Sequence, residues 1–84
     1  MSQYTVDDLK RTVDACLGAE NARALAEDRL DHPFTELGYD SLAVYEITTR
    51  IEDELGLAIS DAEIDLLRTP ASLLDMVNNK LAGV

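Results

Sequence analysis

Ser41 is the residue on which the chemical reading of this chain turns. It directly follows Asp40, a residue type that caps helices, so its hydroxyl falls on the first residue of a helix beginning there. Backbone N–H groups at that place lack intrahelical partners and the helix dipole turns its positive end outward, which favours a covalently attached phosphate anion. A serine beside an aspartate cap is also an ordinary helix start, and by spacing alone that is the commoner situation. Other reactive groups are few. Cys16 is the single cysteine and His32 the single histidine, and no glycine-rich phosphate loop occurs, so no nucleophile–base pair is expected and the chain does not read as an enzyme. The acids follow no calcium-loop pattern, and one cysteine with one histidine cannot build a zinc site, so no metal is expected.

The elements that must position Ser41 follow from the apolar spacing and the caps. Thr5 and Asp8 form a capping-box pair ahead of Val6, Leu9, Val13 and Leu17, with Gly18 as the stop, which predicts a first amphipathic helix. Cys16 falls in line with Leu9 and Val13, where a thiol serves as a small buried hydrophobe. Residues 19–33 read as a long loop with one helical turn, closed by Pro33. Asp40 then caps a helix from Ser41 to Gly56 with Val44, Ile47, Ile51 and Leu55 inward. Ser60 and Glu63 box a short helix carrying Ile64, Leu66 and Leu67. Thr69 and Pro70 open the last helix, with Leu73, Leu74, Val77 and Leu81 on its apolar face. No strand alternation appears. The expected fold is all-α, a four-helix bundle in one domain over residues 1–84, with three longer helices, a short third one and a long loop between the first and second. Its expected core is Leu9, Val13, Phe34, Leu37, Val44, Ile47, Ile51, Ile64, Leu74 and Val77.

Charge restricts the partners. The 84 residues carry a net charge of −10, and residues 31–65 hold ten of the seventeen acids against a single base, Arg50. Nucleic acid and anionic membranes would meet repulsion, so neither is expected, and a basic partner surface is. No apolar run is long enough to cross a bilayer and the first residues lack an export signal, so a reducing cytoplasmic setting and a monomer are expected.

One helix face is not the polar face that solvent requires. At 100° per residue, Leu42, Tyr45, Glu46, Thr49 and Asp53 point away from the apolar stripe, and two apolar anchors within an acidic rim describe a docking surface. Isolated exposed apolar residues are common, and Arg50 stands four residues after Glu46, where the two can simply pair.

The run F-T-E-L-G-Y-D-S-L-A from Phe34 to Ala43 resembles the attachment motif of acyl carrier proteins, with its G-x-D-S-L core. The likeness continues through Glu46–Gly56, Ile59 and the T-P-x-x-L-L-D ending at Thr69–Asp75, and is most similar to the discrete carriers of aromatic, type II polyketide synthases. Two positions depart from the family pattern: Ser60 replaces a frequent proline, and Thr49 stands where fatty-acid carriers often keep methionine. The resemblance implies that Ser41 receives 4′-phosphopantetheine from coenzyme A by a phosphopantetheinyl transferase, and that the terminal thiol carries acyl groups. It implies that Asp40, Leu42, Glu46, Glu52 and Asp53 are read by partner enzymes, with Tyr45 and Thr49 on the same face. Those partners are a ketosynthase with its chain-length factor, a malonyl acyltransferase, a ketoreductase and cyclases. A pocket for the acyl chain is expected near Leu42, Ile47, Ile59, Ile64 and Met76, residues that could equally form a filled core. Alternatives at this point are a peptidyl or fatty-acid carrier and an unmodified acidic helical adaptor.

Overall fold

The computed structural model describes residues 3–83, and every regular element among them is helical. Helix α1 spans Val6–Leu17, a single turn α2 spans Ala19–Ala22, and a 3₁₀ turn covers Glu27–Arg29. Helices α3, α4 and α5 span Ser41–Leu55, Asp61–Leu66 and Pro70–Leu81. The three longer helices and the short α4 form the expected bundle, and the loop between α1 and α3 holds the two brief turns.

Each boundary has a local cause. Thr5 Oγ1 accepts from the Asp8 N–H at 3.2 Å while Asp8 Oδ2 accepts from the Thr5 N–H at 2.9 Å. The same reciprocal box joins Ser60 to Glu63 ahead of α4 and Thr69 to Ser72 ahead of α5, where Pro70 occupies the first turn. At the end of α3, Gly56 takes the left-handed conformation, φ 66° and ψ 33°, that residues with a Cβ rarely adopt.

The core is one cluster formed by α1, α3, α5 and the long loop. Leu9, Ile47, Ile51, Leu73 and Val77 are fully buried, and each such burial stabilises the fold by about 1.5–3 kcal/mol. Eight of the ten expected core residues are buried. Ile64 and Leu74 are instead partly buried and pack against the cluster's edge. Tyr4, Leu25 and Tyr39 complete the core without having been expected there, together with Leu73 from the expected apolar face of α5 and Ile59, expected either beside an acyl chain or in a filled core. Of the apolar residues that the short helix carries, Leu66 points to solvent at 77% exposure.

Long-range hydrogen bonds fix the segments that periodicity cannot place. Asn78 accepts from the Tyr4 N–H at 2.7 Å and donates to the Tyr4 carbonyl at 3.0 Å, which locks the N-terminal segment onto α5. The Ala71 N–H donates to the Leu30 carbonyl at 3.0 Å, and the Phe34 N–H donates to the Arg68 carbonyl at 2.8 Å, so the long loop lies along the α4–α5 connection. This attachment delivers the loop to the start of α3.

Candidate functional site

Ser41 is the first residue of α3 and its side chain faces solvent. The residues before it are held tightly. Tyr39 is buried, its ring meets Phe34 edge-on with centroids 6.0 Å apart, and its hydroxyl donates to the Asn21 carbonyl. Burial pushes the Tyr39 phenol up to about 12, so it remains a neutral donor. Gly38 turns the chain with φ 91°, and the Tyr39 N–H returns to the Phe34 carbonyl at 2.9 Å. Asp40 then caps the helix, its Oδ1 accepting from the Ala43 N–H at 2.7 Å. An exposed hydroxyl is thereby presented by a rigid base, at a helix end whose first N–H groups point outward and attract a phosphate.

Beside Ser41 lies an open cleft of about 690 Å³ between the 33–41 loop, the start of α3, and α4 with the residues that follow it. Phe34, Val44, Ile64 and Leu67 supply apolar walls; Asp40, Asp61 and Asp65 are its acids and Arg68 its only base. Of the five residues expected to form an acyl pocket, Ile64 alone lines this cleft. Ile47 and Ile59 are buried in the core cluster. Met76 packs against that core from α5, and Leu42 is 65% exposed on the outer side of α3. The cleft thus lies between the two helices expected to shelter an acyl chain, α3 and α4, with Ile64 on its wall and the other four residues set elsewhere.

The outward strip of α3 is continuous with the cleft. Leu42, Tyr45, Glu46, Thr49 and Asp53 are all exposed, and Tyr45, at 50% exposure, stands between the cleft and a shallow groove of about 280 Å³ shared with Cys16 of α1. The Thr49 hydroxyl donates back to the Tyr45 carbonyl at 2.9 Å. Burial, and then the Glu46 carboxylate, push the Cys16 thiol up, which keeps it protonated and unreactive.

Two expectations about the acids change. Arg50 reaches forward to Glu54 at 3.5 Å rather than back to Glu46, so Glu46 has no ion-pair partner among the described residues. Glu52 borders the outward strip. It is half-buried, and its Oε2 accepts from the Ile59 N–H at 3.2 Å, tying α3 to the loop that launches α4. Glu54 likewise accepts from the Thr12 hydroxyl at 3.1 Å, and Thr12 bonds the Tyr4 hydroxyl at 2.6 Å. The Glu52–Glu54 run is thus partly a seam between elements rather than a solvated helix end. His32 is an exposed loop residue paired with Glu36 at 3.1 Å.

Sequence reasoning gave no site role to Tyr39, Asp61, Asp65 or Arg68. Tyr39 lies inside the motif, so its position was the available signal; nothing local marks the other three, which reach the cleft only because α4 folds across it.

The arrangement has relatives. The family profile for the phosphopantetheine attachment site, PP-binding, matches residues 11–77. The granaticin polyketide synthase acyl carrier protein of Streptomyces violaceoruber is 46% identical over 82 residues, covering 98% of this chain and 96% of the relative. The actinorhodin apo acyl carrier protein from S. coelicolor is structurally similar, with a TM-score of 0.84 and 38% identity, covering 96% of this chain and 94% of that one. A 3-oxo-butyl form of the actinorhodin carrier, described as an intermediate mimic, matches with a TM-score of 0.83 and 37% identity over 99% of this chain and 96% of that one. With an exposed serine at the head of α3, a family match across most of its length and relatives this similar, the chain belongs to the acyl carrier proteins that bear a phosphopantetheine attachment site.

Proposed function

We propose that Ser41 carries the 4′-phosphopantetheine arm and that the chain serves a type II polyketide synthase, holding malonyl and growing poly-β-keto chains as thioesters. The observation that carries this reading is the solvent-facing Ser41 hydroxyl on the first turn of α3, inside a chain that matches the attachment-site family over residues 11–77. The names of the similar carriers supply the pathway. The protein is a carrier and not a catalyst; its modification is the work of a phosphopantetheinyl transferase. In that step the Ser41 Oγ forms a bond to the β-phosphorus of coenzyme A as the pyrophosphate link breaks, adenosine 3′,5′-bisphosphate leaves, and the hydroxyl proton passes to a base of the transferase. Once bound, the arm supplies a thiol that forms thioesters.

The chain's own residues do the rest. Tyr39 and Asp40 hold Ser41 at the helix tip, so the point of attachment does not wander. Leu42 and Tyr45 anchor the ketosynthase with its chain-length factor, the malonyl acyltransferase, the ketoreductase and the cyclases in turn. Asp40, Glu46 and Asp53 steer the basic surfaces of those enzymes, which speeds encounter without lengthening residence. Thr49 forms part of the floor of the groove between them. A tethered thioester raises effective concentration at each active site, so weak docking suffices. The protein acts as a cytoplasmic monomer and as a single carrier domain.

The cargo is tested by incubating the arm-bearing protein with malonyl-CoA and a malonyl acyltransferase. Gain of one malonyl group per chain, followed by loss of carbon dioxide when ketosynthase and an acyl primer are added, is the expected result. An arm-bearing protein that accepts no malonyl group from any type II acyltransferase refutes the pathway reading.

A further inference from the structure

The cleft beside Ser41 contains an electrostatic imbalance. Three carboxylates, Asp40, Asp61 and Asp65, face one guanidinium, Arg68. Arg68 is exposed and makes no ion pair with any described residue, although Asp65 stands three positions before it. Its place is fixed by backbone bonds that lead straight to the motif. The Arg68 carbonyl accepts from the Phe34 N–H at 2.8 Å, and the Phe34 carbonyl accepts from the Tyr39 N–H at 2.9 Å, two residues before Ser41. The base of the arginine side chain is therefore clamped against the loop that presents Ser41, and both residues line the same cleft.

We propose that Arg68 is the counter-ion for the phosphodiester on Ser41. The inference rests on the reading that Ser41 bears the arm. A phosphodiester adds one more negative charge to a cleft that already holds three, and the helix end offers only backbone N–H groups and a partial dipole charge in compensation. A guanidinium supplies a full charge and a planar fork that matches two phosphate oxygens, which a carboxylate-lined wall cannot. Arg68 thereby acts as a positioning residue. It draws the first atoms of the arm toward α4 and sets the direction in which the chain leaves the protein, along the apolar side of Phe34, Ile64 and Leu67 and away from Leu42. The malonyl carboxylate is the other anion the arm can bring; the phosphodiester is favoured because it is anchored at the cleft's edge in every loaded state.

The experiment begins with intact mass, so that a missing arm, which would be a failure of the attachment reading, is seen before Arg68 is examined. Nuclear magnetic resonance then follows the Arg68 Nε–Hε signal of the wild type before and after the arm is added, together with the phosphorus-31 line of the arm. The expected result is a shift of the arginine signal on addition of the arm, suppressed by high sodium chloride. The phosphorus line is expected to move in Arg68→Ala and to return part of the way in Arg68→Lys. Both variants keep the backbone carbonyl that bonds Phe34, and the wild-type comparison stands even if one of them is poorly folded. An arginine signal that does not move in the arm-bearing protein overturns the proposal. So does a response that appears only after malonyl loading, because it would assign the guanidinium to the carboxylate instead.

Discussion

Replacing Glu52 separates two accounts of the α3 acids. Sequence position puts Glu52 beside Asp53 on a docking helix, yet its Oε2 accepts from the Ile59 N–H at 3.2 Å across the turn to α4. Ile59 is only 6% exposed, so in Glu52→Ala its N–H loses a charged acceptor and has little access to water. Hydrogen bonds to charged groups contribute about 1.5–3 kcal/mol, and an unsatisfied buried donor costs about 1–3 kcal/mol. Because Glu52 itself is half-buried, the low end applies, and the expected loss is about 1.5 kcal/mol. For a domain of this size that lowers Tm by about 6–12 °C. Asp53→Ala, which removes an exposed acid with no hydrogen bond among the described residues, is expected to change stability by less than about 0.5 kcal/mol. Glu52→Gln keeps a neutral acceptor and should fall between them. Thermal unfolding followed by circular dichroism at 222 nm reads all three. Equal Tm values for Glu52→Ala and Asp53→Ala would refute the anchoring role, and a slowed acyl transfer at unchanged Tm would return Glu52 to the docking face.

Three further outcomes follow from the same structure. Tyr39→Phe keeps the edge-on contact with Phe34 but loses the bond to the Asn21 carbonyl, for a cost of about 1 kcal/mol in chemical denaturation. The phenol is raised from 10.0 to about 12, so its contribution is full below pH 10 and drains as pH climbs toward 12; Tyr39→Phe should flatten that alkaline loss, and an unaltered profile would contradict the burial argument. Leu73→Ala empties a fully buried site on α5 and should cost about 2–5 kcal/mol, a large part of the stability of so small a domain, measured by urea unfolding. Glu46→Lys with Asp53→Lys should slow acyl transfer to the ketosynthase at low salt while leaving the circular dichroism spectrum intact; equal rates would remove electrostatic steering by α3.

What the sequence revealed and what it hid divide along a physical line. The caps at Thr5, Asp40, Ser60 and Thr69 were legible because each is a bond between residues three apart, and local chemistry decides it. The inward stripe of α3 was legible because a 3.6-residue period carries it. Tyr4, Leu25 and Tyr39 were not, since they lie in segments without a period, and Tyr4 and Tyr39 are tied to the bundle by long-range bonds that no spacing announces. The outward position of Leu66 was hidden for a related reason: a helix of six residues is too short for its stripe to fix its rotation. Glu52 and Arg50 show the limit for charges. Spacing offers each several partners, and only the fold shows that Arg50 takes Glu54 and that Glu52 takes a backbone N–H. The attachment serine was legible as a family motif, whereas the cleft beside it was not, because Asp61 and Arg68 stand twenty or more residues further along the chain.

The central claim is that one hydroxyl at the tip of α3 bears the arm. Intact mass spectrometry after incubation with coenzyme A and a broad-specificity phosphopantetheinyl transferase tests it most directly. The wild type is predicted to gain a single phosphopantetheine and Ser41→Ala, with its helical circular dichroism preserved, to gain none. A Ser41→Ala protein that still takes up the group, or a wild type left unmodified by transferases that modify the actinorhodin carrier, would contradict the account.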